Sequence, residues 1–298
     1  MGLIRVRLQR VLAIGALAVA APTALRAQSI EDLIKRGRAQ TDSGKDDDAV
    51  KTLEQAVKLD PMSAEAHFRL GNALGSVAQK ANVLRQPFLA KRLKSEFEKA
   101  AELDPGLLGP HEGLIQFYLQ APGVMGGSVA KAREQAASIV KINALRGHFA
   151  EANIANHEKD LPGAERAYRA AYSEFPDSSL ALTSLTTFLA NNGRAEDAFA
   201  PVDHYLARKP NDRVGLFTLG RAAAVSGKQL ERGEQALRTV LTMPETENGS
   251  RIPRENVHYR LGDIYAKRGD KAKARAEYEE ALRINPRLEP AKKALAAL

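Results

Sequence analysis

A residue–proline step recurs down this chain: Asp60-Pro61, Asp104-Pro105, Phe175-Pro176, Lys209-Pro210 and Asn285-Pro286. Pro176 and Pro210 are 34 residues apart. The other steps are 44, 71 and 76, which read as one or two 34-residue units carrying insertions. A fixed period of about 20–50 residues means stacked structural repeats, each touching only its neighbours. For a chain of 298 residues this overrides the usual expectation of about two globular domains.

Alignment on the prolines brings other residues into register. The last unit reads His258-Tyr259-Arg260-Leu261-Gly262-Asp263-Ile264-Tyr265, then Gly269, Ala274, Tyr278, Ala281 and Pro286. A second unit opens with His67-Phe68-Arg69-Leu70-Gly71-Asn72-Ala73-Leu74 and closes with Phe97, Ala100 and Pro105. Leu33, Gly37, Gly44, Ala49, Leu53 and Pro61 mark another, as do Ala152, Ala164, Tyr168 and Pro176, and Leu185, Gly193, Ala198 and Pro210. Two more are degenerate, marked by Leu114, Tyr118 and Ala132, and by Leu219, Gly220 and Gly227. Apolar residues recur at three- and four-residue steps in two blocks per unit, the signature of paired amphipathic helices. Gly37, Gly71, Gly220 and Gly262 fall inside first helices, where glycine costs about 0.5–1 kcal/mol relative to alanine. A close crossing by the second helix, with Ala49, Ala164, Ala198 and Ala274 as its small face, accounts for them. Gly44, Gly193, Gly227 and Gly269 suit left-handed residues between the helices, and each proline ends a second helix.

This pattern resembles the tetratricopeptide repeat (TPR), W-x2-L-G-x2-Y, A-x3-F, P, with His258 in place of Trp. The resemblance implies an all-α, right-handed superhelical solenoid of helical hairpins. Its units would run 30–63, 64–107, 108–144, 145–178, 179–212, 213–254 and 255–288, followed by a capping helix over 289–298. It also implies that first helices line a concave groove. Transferred to matching positions, that puts Phe68, Phe149, Phe217 and Tyr259 on the groove, with Asn72, Asn153, Arg221 and Asp263 one turn on. His157, Asn191 and Lys267 lie nearby. The family's best-known ligand mode clamps a C-terminal carboxylate with lysines and asparagines. Asn72 and Asn153 fit it in part, but phenylalanine stands where the lysine would be.

Arg5, Arg7 and Arg10 precede an apolar run, Val11 to Ala21, and Leu25-Arg26-Ala27-Gln28. This reads as a signal peptide over 1–27 cleaved after Ala27, or alternatively after Ala20, and as a periplasmic or secreted destination. An uncleaved anchor is the competing reading, though the run is short of the ~20 residues that span a bilayer. The formal charge of +8 falls to 8 − 4 = +4 without Arg5, Arg7, Arg10 and Arg26. That excess is too mild for a nucleic-acid binder. The chain has no cysteine, so neither disulfides nor a cysteine lipid anchor is available.

Three deviations interrupt the period. Ser76 to Leu89 lengthens the second unit, with Pro87 breaking a long helix. Ala121 to Ser128 is glycine-rich but holds Val124 and Met125, which suggests a loop folded back into the groove. Ser128 reads as a helix cap near Val129 rather than part of a phosphate loop. Glu245 to Pro253 reads as a surface turn containing an Asn248-Gly249-Ser250 sequon. Pro201 should kink its helix.

His67, His111, His148 and His258 share the slot the family fills with Trp. Successive slots lie roughly 10 Å apart or more, too far for one metal ion, so a packing role is expected. No H-E-x-x-H or G-x-S-x-G motif occurs. The expectation is a non-enzymatic protein-binding scaffold or adaptor of the cell envelope with no cofactor, no metal and no nucleic-acid partner. A carbohydrate- or peptidoglycan-associated module is the alternative, and an accessory enzyme a weaker one.

Overall fold

Helices begin where the sequence supplies a cap. In this computed structural model, which describes residues 29–247 and 250–298, six helices share one start. Ser63, Ser128, Asp160, Ser178, Asp212 and Asp270 each accept the backbone N–H three residues on. The leader and the Asn248-Gly249 pair of the sequon lie outside the described residues. Most helices end where proline or glycine stops them, while those ending at Lys80, Ile142 and His157 do not. The residue before proline is extended at three of the five steps, with φ −137° and ψ 91° at both Asp60 and Asp104 and −132°, 92° at Asn285. Phe175 and Lys209 leave the helical region with ψ of 62° and 70°. Gly44, Gly193, Gly227 and Gly269 take left-handed φ of 75°, 75°, 73° and 80°, as expected of residues closing a first helix.

The chain divides into two compact units, 1–150 and 151–298, and α7 carries the boundary. The first unit holds α1 (29–42), α2 (Asp46–Leu59), α3 (Ala64–Lys80), α4 (Gln86–Leu103), α5 (Leu108–Gln120), α6 (Val129–Ile142) and the start of α7 (Ala144–His157). The second continues through α8 (Leu161–Glu174), α9 (Ser179–Asn191), α10 (Phe199–Arg208), α11 (Arg213–Ser226) and α12 (Leu230–Thr242). It closes with α13 (Arg254–Lys267), α14 (Lys271–Ile284) and α15 (Glu289–Ala296). Consecutive helices pair as antiparallel hairpins, and each hairpin packs on the next in its unit. The all-α repeat solenoid is therefore the fold. A two-residue antiparallel ladder, Thr246–Glu247 with Ser250–Arg251, is the only strand pairing among the described residues. No described helix is long and apolar enough to cross a membrane.

The first-helix glycines are notches for large side chains. A Cβ on Gly37 would lie 2.5 Å from Leu53, on Gly71 2.5 Å from the Phe97 ring, on Gly220 2.3 Å from Leu237, and on Gly262 2.4 Å from Tyr278. Ala49 and Ala274 are fully buried, but the group filling each notch stands one turn beyond them, at Leu53 and Tyr278. The close crossing thus exists, and a knob occupies it rather than bare backbone. Phe97 is shared: Gly113 on α5 would also meet its ring, at 2.6 Å.

The irregular segments depart from expectation in instructive ways. Pro87 sits in the first turn of α4, where its missing N–H costs nothing. The hairpin α3–α4 has helices of 17 and 18 residues, against 13 and 14 for α5–α6. Ser128 caps α6 as expected, accepting from the Lys131 N–H at 3.3 Å. Val124 does not fold back: it is 98% exposed on a 3-10 turn, Gly123–Met125, since glycines on both sides let that turn face outward. Pro201 produces no kink within a continuous helix. A 3-10 turn, Ala195–Ala198, precedes α10, so the proline falls in the first turn.

Glu234 on α12 ties together the last hairpins. Burial pushes its carboxyl up, but hydrogen bonds from Tyr265, Arg238 and Arg268 outweigh that and hold it at about 2. A carboxylate lowered on folding stabilises above its unfolded value and loses that contribution as pH falls through the folded one. Glu234→Gln is expected to cost about 1–2 kcal/mol above pH 4.5. The gap to the parent chain should close between pH 4.5 and 2, read from urea unfolding across that range. Gly71→Ala, which drives a methyl into Phe97, should cost about 1–3 kcal/mol. Gly75→Ala on the same helix, where a Cβ meets nothing within 4 Å, should instead gain about 0.5–1 kcal/mol. Denaturant midpoints of the two variants check the contrast.

Candidate functional site

The first unit holds an open groove of about 740 Å³ between α3, α4, α5 and the loop after α5. Its floor is set by the glycine notches, where the buried Phe97 ring, seated against Gly71 and Gly113, lines the groove beside Leu93 and Ala90. Amide side chains form the walls: Asn72 and Gln79 from α3, Gln86 from α4, Gln116 and Gln120 from α5. Val83, Pro122 and Met125 close its mouth. No residue lining the groove is charged. Each amide offers both donor and acceptor, which matches the one donor and one acceptor of every peptide unit.

The second unit has a smaller recess of about 490 Å³ between α7, α8 and α9. It is lined by Asn156, Thr183, Ser184, Thr187, Asn191 and Asn192, with the rings of Tyr168 and Phe188 packed 5.2 Å apart. Arg221 on α11 reaches Thr187 Oγ1 at 2.8 Å and Thr186 Oγ1 at 3.2 Å. Burial, and then the nearby Arg260 charge, lower its pKa.

The residues expected from sequence fall into distinct settings. Asn72 lines the first groove and Asn191 the second recess. Phe68 is half-buried, 6.1 Å from Phe97, with its ring over Gly109 of the next hairpin. Tyr259 is half-buried against Tyr278, with the Arg260 guanidinium 4.7 Å above its ring. Asp263 accepts from Tyr278 at 2.9 Å and Arg260 at 2.9 Å, and its burial raises its pKa against their opposing effect. Phe149, Asn153 and Phe217 are half-buried, whereas His157 and Lys267 are exposed. Phe68, Asn72 and Phe149 belong to the first unit and the other eight to the second.

The histidine slot has a structural task. His67 places Nδ1 2.6 Å from Glu96 and Nε2 3.0 Å from the Pro61 carbonyl. His111 repeats this with Gln135 at 2.7 Å and the Pro105 carbonyl at 3.2 Å. His258 meets Glu277 at 2.7 Å. Among the described residues no three His, Asp or Glu side chains gather as metal ligands.

Several groove residues were not visible to sequence reasoning. Gln79 and Gln86 fall in the first insertion, and Gln116 and Gln120 on the helix of a degenerate unit, which the repeat register does not align; Met125, expected in the groove from its loop, does line it. Arg213 was missed too. Buried at the start of α11, it donates to the carbonyls of Glu245 and Ile252, the latter at 2.6 Å, and so pins the third insertion.

The fold and these notches define a helical-hairpin repeat protein. Models of the tetratricopeptide repeat match residues 37–76, 158–213 and 255–288, so the chain carries tetratricopeptide repeats. Among solved structures, a tetratricopeptide repeat protein from Parabacteroides merdae is similar at a TM-score of 0.53 and 15% identity, covering 90% of this chain and 98% of that one. Yeast Tom70 is similar at 0.57 and 11% identity, covering 85% of this chain and 50% of its own. These likenesses concern the fold. No curated protein matches the chain.

Arg213→Ala would leave the buried Ile252 carbonyl without its donor, while the Glu245 carbonyl keeps the Ile252 N–H, and is expected to cost about 1–3 kcal/mol. Thermal unfolding, together with limited proteolysis within 245–252, should show the loss, and Arg213→Lys should restore part of it.

Proposed function

We propose that this protein is a non-enzymatic binding scaffold of the cell envelope whose first unit holds a segment of a partner protein in the α3–α5 groove. The observation that carries this reading is the pairing of an apolar, glycine-notched floor with walls of amides and no charge. Phe97 and Leu93 would take an apolar side chain of the segment, while Asn72, Gln79, Gln116 and Gln120 hydrogen-bond its main chain. Tetratricopeptide repeats serve protein–protein interaction as a class, which agrees with this chemistry. The basic, apolar and small-residue order of residues 5–27 supports export.

A second reading has its own observation. The recess of the second unit joins hydroxyls and amides to the half-buried ring of Tyr168, a chemistry suited to sugars. Panning the purified chain against random peptides separates the two. Peptides captured by the parent should lose about tenfold or more in affinity to Asn72→Ala/Gln116→Ala, from two amide hydrogen bonds, and be indifferent to Asn191→Ala. Capture unaffected by the groove pair would refute the groove. Binding to purified cell-wall glycan, abolished by Asn191→Ala and without peptide capture, would establish the second reading.

A further inference from the structure

The two hairpin insertions of the first unit meet at one place on its edge. Val83 from the α3–α4 loop, Pro87 from the first turn of α4, and Pro122 and Met125 from the α5–α6 loop line the same groove mouth. Beyond that mouth the large apolar side chains turn outward: Val83 is 79% exposed, Leu84 83%, Phe88 78% and Val124 98%. Such a cluster differs from the single exposed apolar residues found on any surface. It is also built rather than slack. Asn82 accepts from the Arg85 N–H through its side chain at 3.1 Å and its carbonyl at 3.0 Å, and the Gln86 side chain donates to the Ala81 carbonyl at 3.1 Å.

The two segments that build this tip carry charge of one sign in their own sequence. Residues 66–95 contain Arg69, Lys80, Arg85, Lys91, Arg92 and Lys94 and no acidic residue, and residues 113–133 add Lys131 and Arg133 with none. Lys80, Arg92 and Lys94 pair with Asp46, Glu54 and Glu98. Arg85 and Lys91 have no carboxylate partner among the described residues. Asp46, Asp47 and Asp48 open α2 beside Lys80, and Glu54 further along α2 holds Arg92. Helices α3 and α4 run on the order of one turn longer than their neighbours, about 6 Å at 1.5 Å per residue, which carries residues 83–88 past those acids. Lys91 and Arg92 follow Phe88 by three and four residues, about 5–6 Å back along the helix.

We infer that this tip docks on an anionic lipid surface, with Val83, Leu84, Phe88 and Val124 entering the headgroup–acyl boundary and Arg85 and Lys91 meeting lipid phosphates. The layering decides in favour of a bilayer. Interfacial segments bury their apolar groups by about 5–10 Å, the depth at which cations one turn behind reach the phosphate level. A groove-bound peptide would leave Leu84 and Phe88 uncovered, since neither lines the groove. This docking shares only Val83 with the groove and does not require a segment bound there.

The absence of cysteine permits a direct test. An environment-sensitive fluorophore on Leu84→Cys of the full chain should shift to the blue with vesicles containing phosphatidylglycerol. It should not shift with pure phosphatidylcholine, and the same dye on Ala137→Cys, exposed on α6, should not shift with either. Arg85→Glu/Lys91→Glu should weaken the vesicle partitioning by about tenfold or more, and added salt should do the same. The proposal is overturned by an unshifted dye at position 84, which is the result if residues 1–28 alone carry the chain to vesicles. Equal shifts at 84 and 137, or equal shifts with both lipids, overturn it as well. A shift at 84 produced by soluble protein and not by vesicles would make the tip a protein-docking element and refute the lipid reading.

Discussion

Everything in this structure depends on a large side chain from one helix seating in a glycine notch of its partner. Leu53, Phe97, Leu237 and Tyr278 each occupy a space that a single methyl group on the facing helix would fill. The contact fixes the separation of the two helices and the rotation of each about its axis, because only one residue of the first helix lacks a side chain at that height. It also offsets the helix-propensity cost of glycine with the burial of an entire Leu or aromatic side chain, worth about 1.5–3 kcal/mol. At Phe97 the same ring fills notches on α3 and α5, so packing within one hairpin and packing between two hairpins are a single event.

That arrangement explains how much could be read from the sequence. Features governed by a few neighbouring residues were legible: left-handed Gly44, Gly193, Gly227 and Gly269, extended residues before proline, and the cap at Ser128. Each follows from local backbone chemistry. The notch glycines were legible as glycines, but their occupants were not, because the matching residue lies on the other helix of the hairpin and alanines one turn away look equally suitable. Val124 was misjudged for a similar reason. Its apolar character suggested burial, yet burial needs a neighbour to pack against, and the flanking glycines supply none.

The candidate site was less legible still. The register picked out Asn72 and Asn191, which line recesses, alongside Phe68, Tyr259 and Asp263, which are engaged with neighbouring side chains. A position within a repeat specifies which face of a helix a residue occupies. It does not specify whether the adjacent hairpin covers that face. The groove of the first unit owes its shape to the longer α3 and α4 and to the loop after α5, and it is these departures from the period that make one hairpin unlike the next.

The histidine links carry a rule about where this chain can change length. In the two hairpins where His67 and His111 meet the carbonyls of Pro61 and Pro105, six residues separate the bonded partners each time. The turn between hairpins is thereby a fastener of fixed gauge, whereas the turn within a hairpin opens onto solvent and can grow outward. The insertions of the first unit obey this, since both lie within hairpins. The insertion before α13 breaks the gauge, and there Arg213 reaches forward from the preceding hairpin to grip both sides of the added loop. Length added between repeats is tolerated here because a second clasp, borrowed from the previous repeat, closes the gap that the first can no longer span.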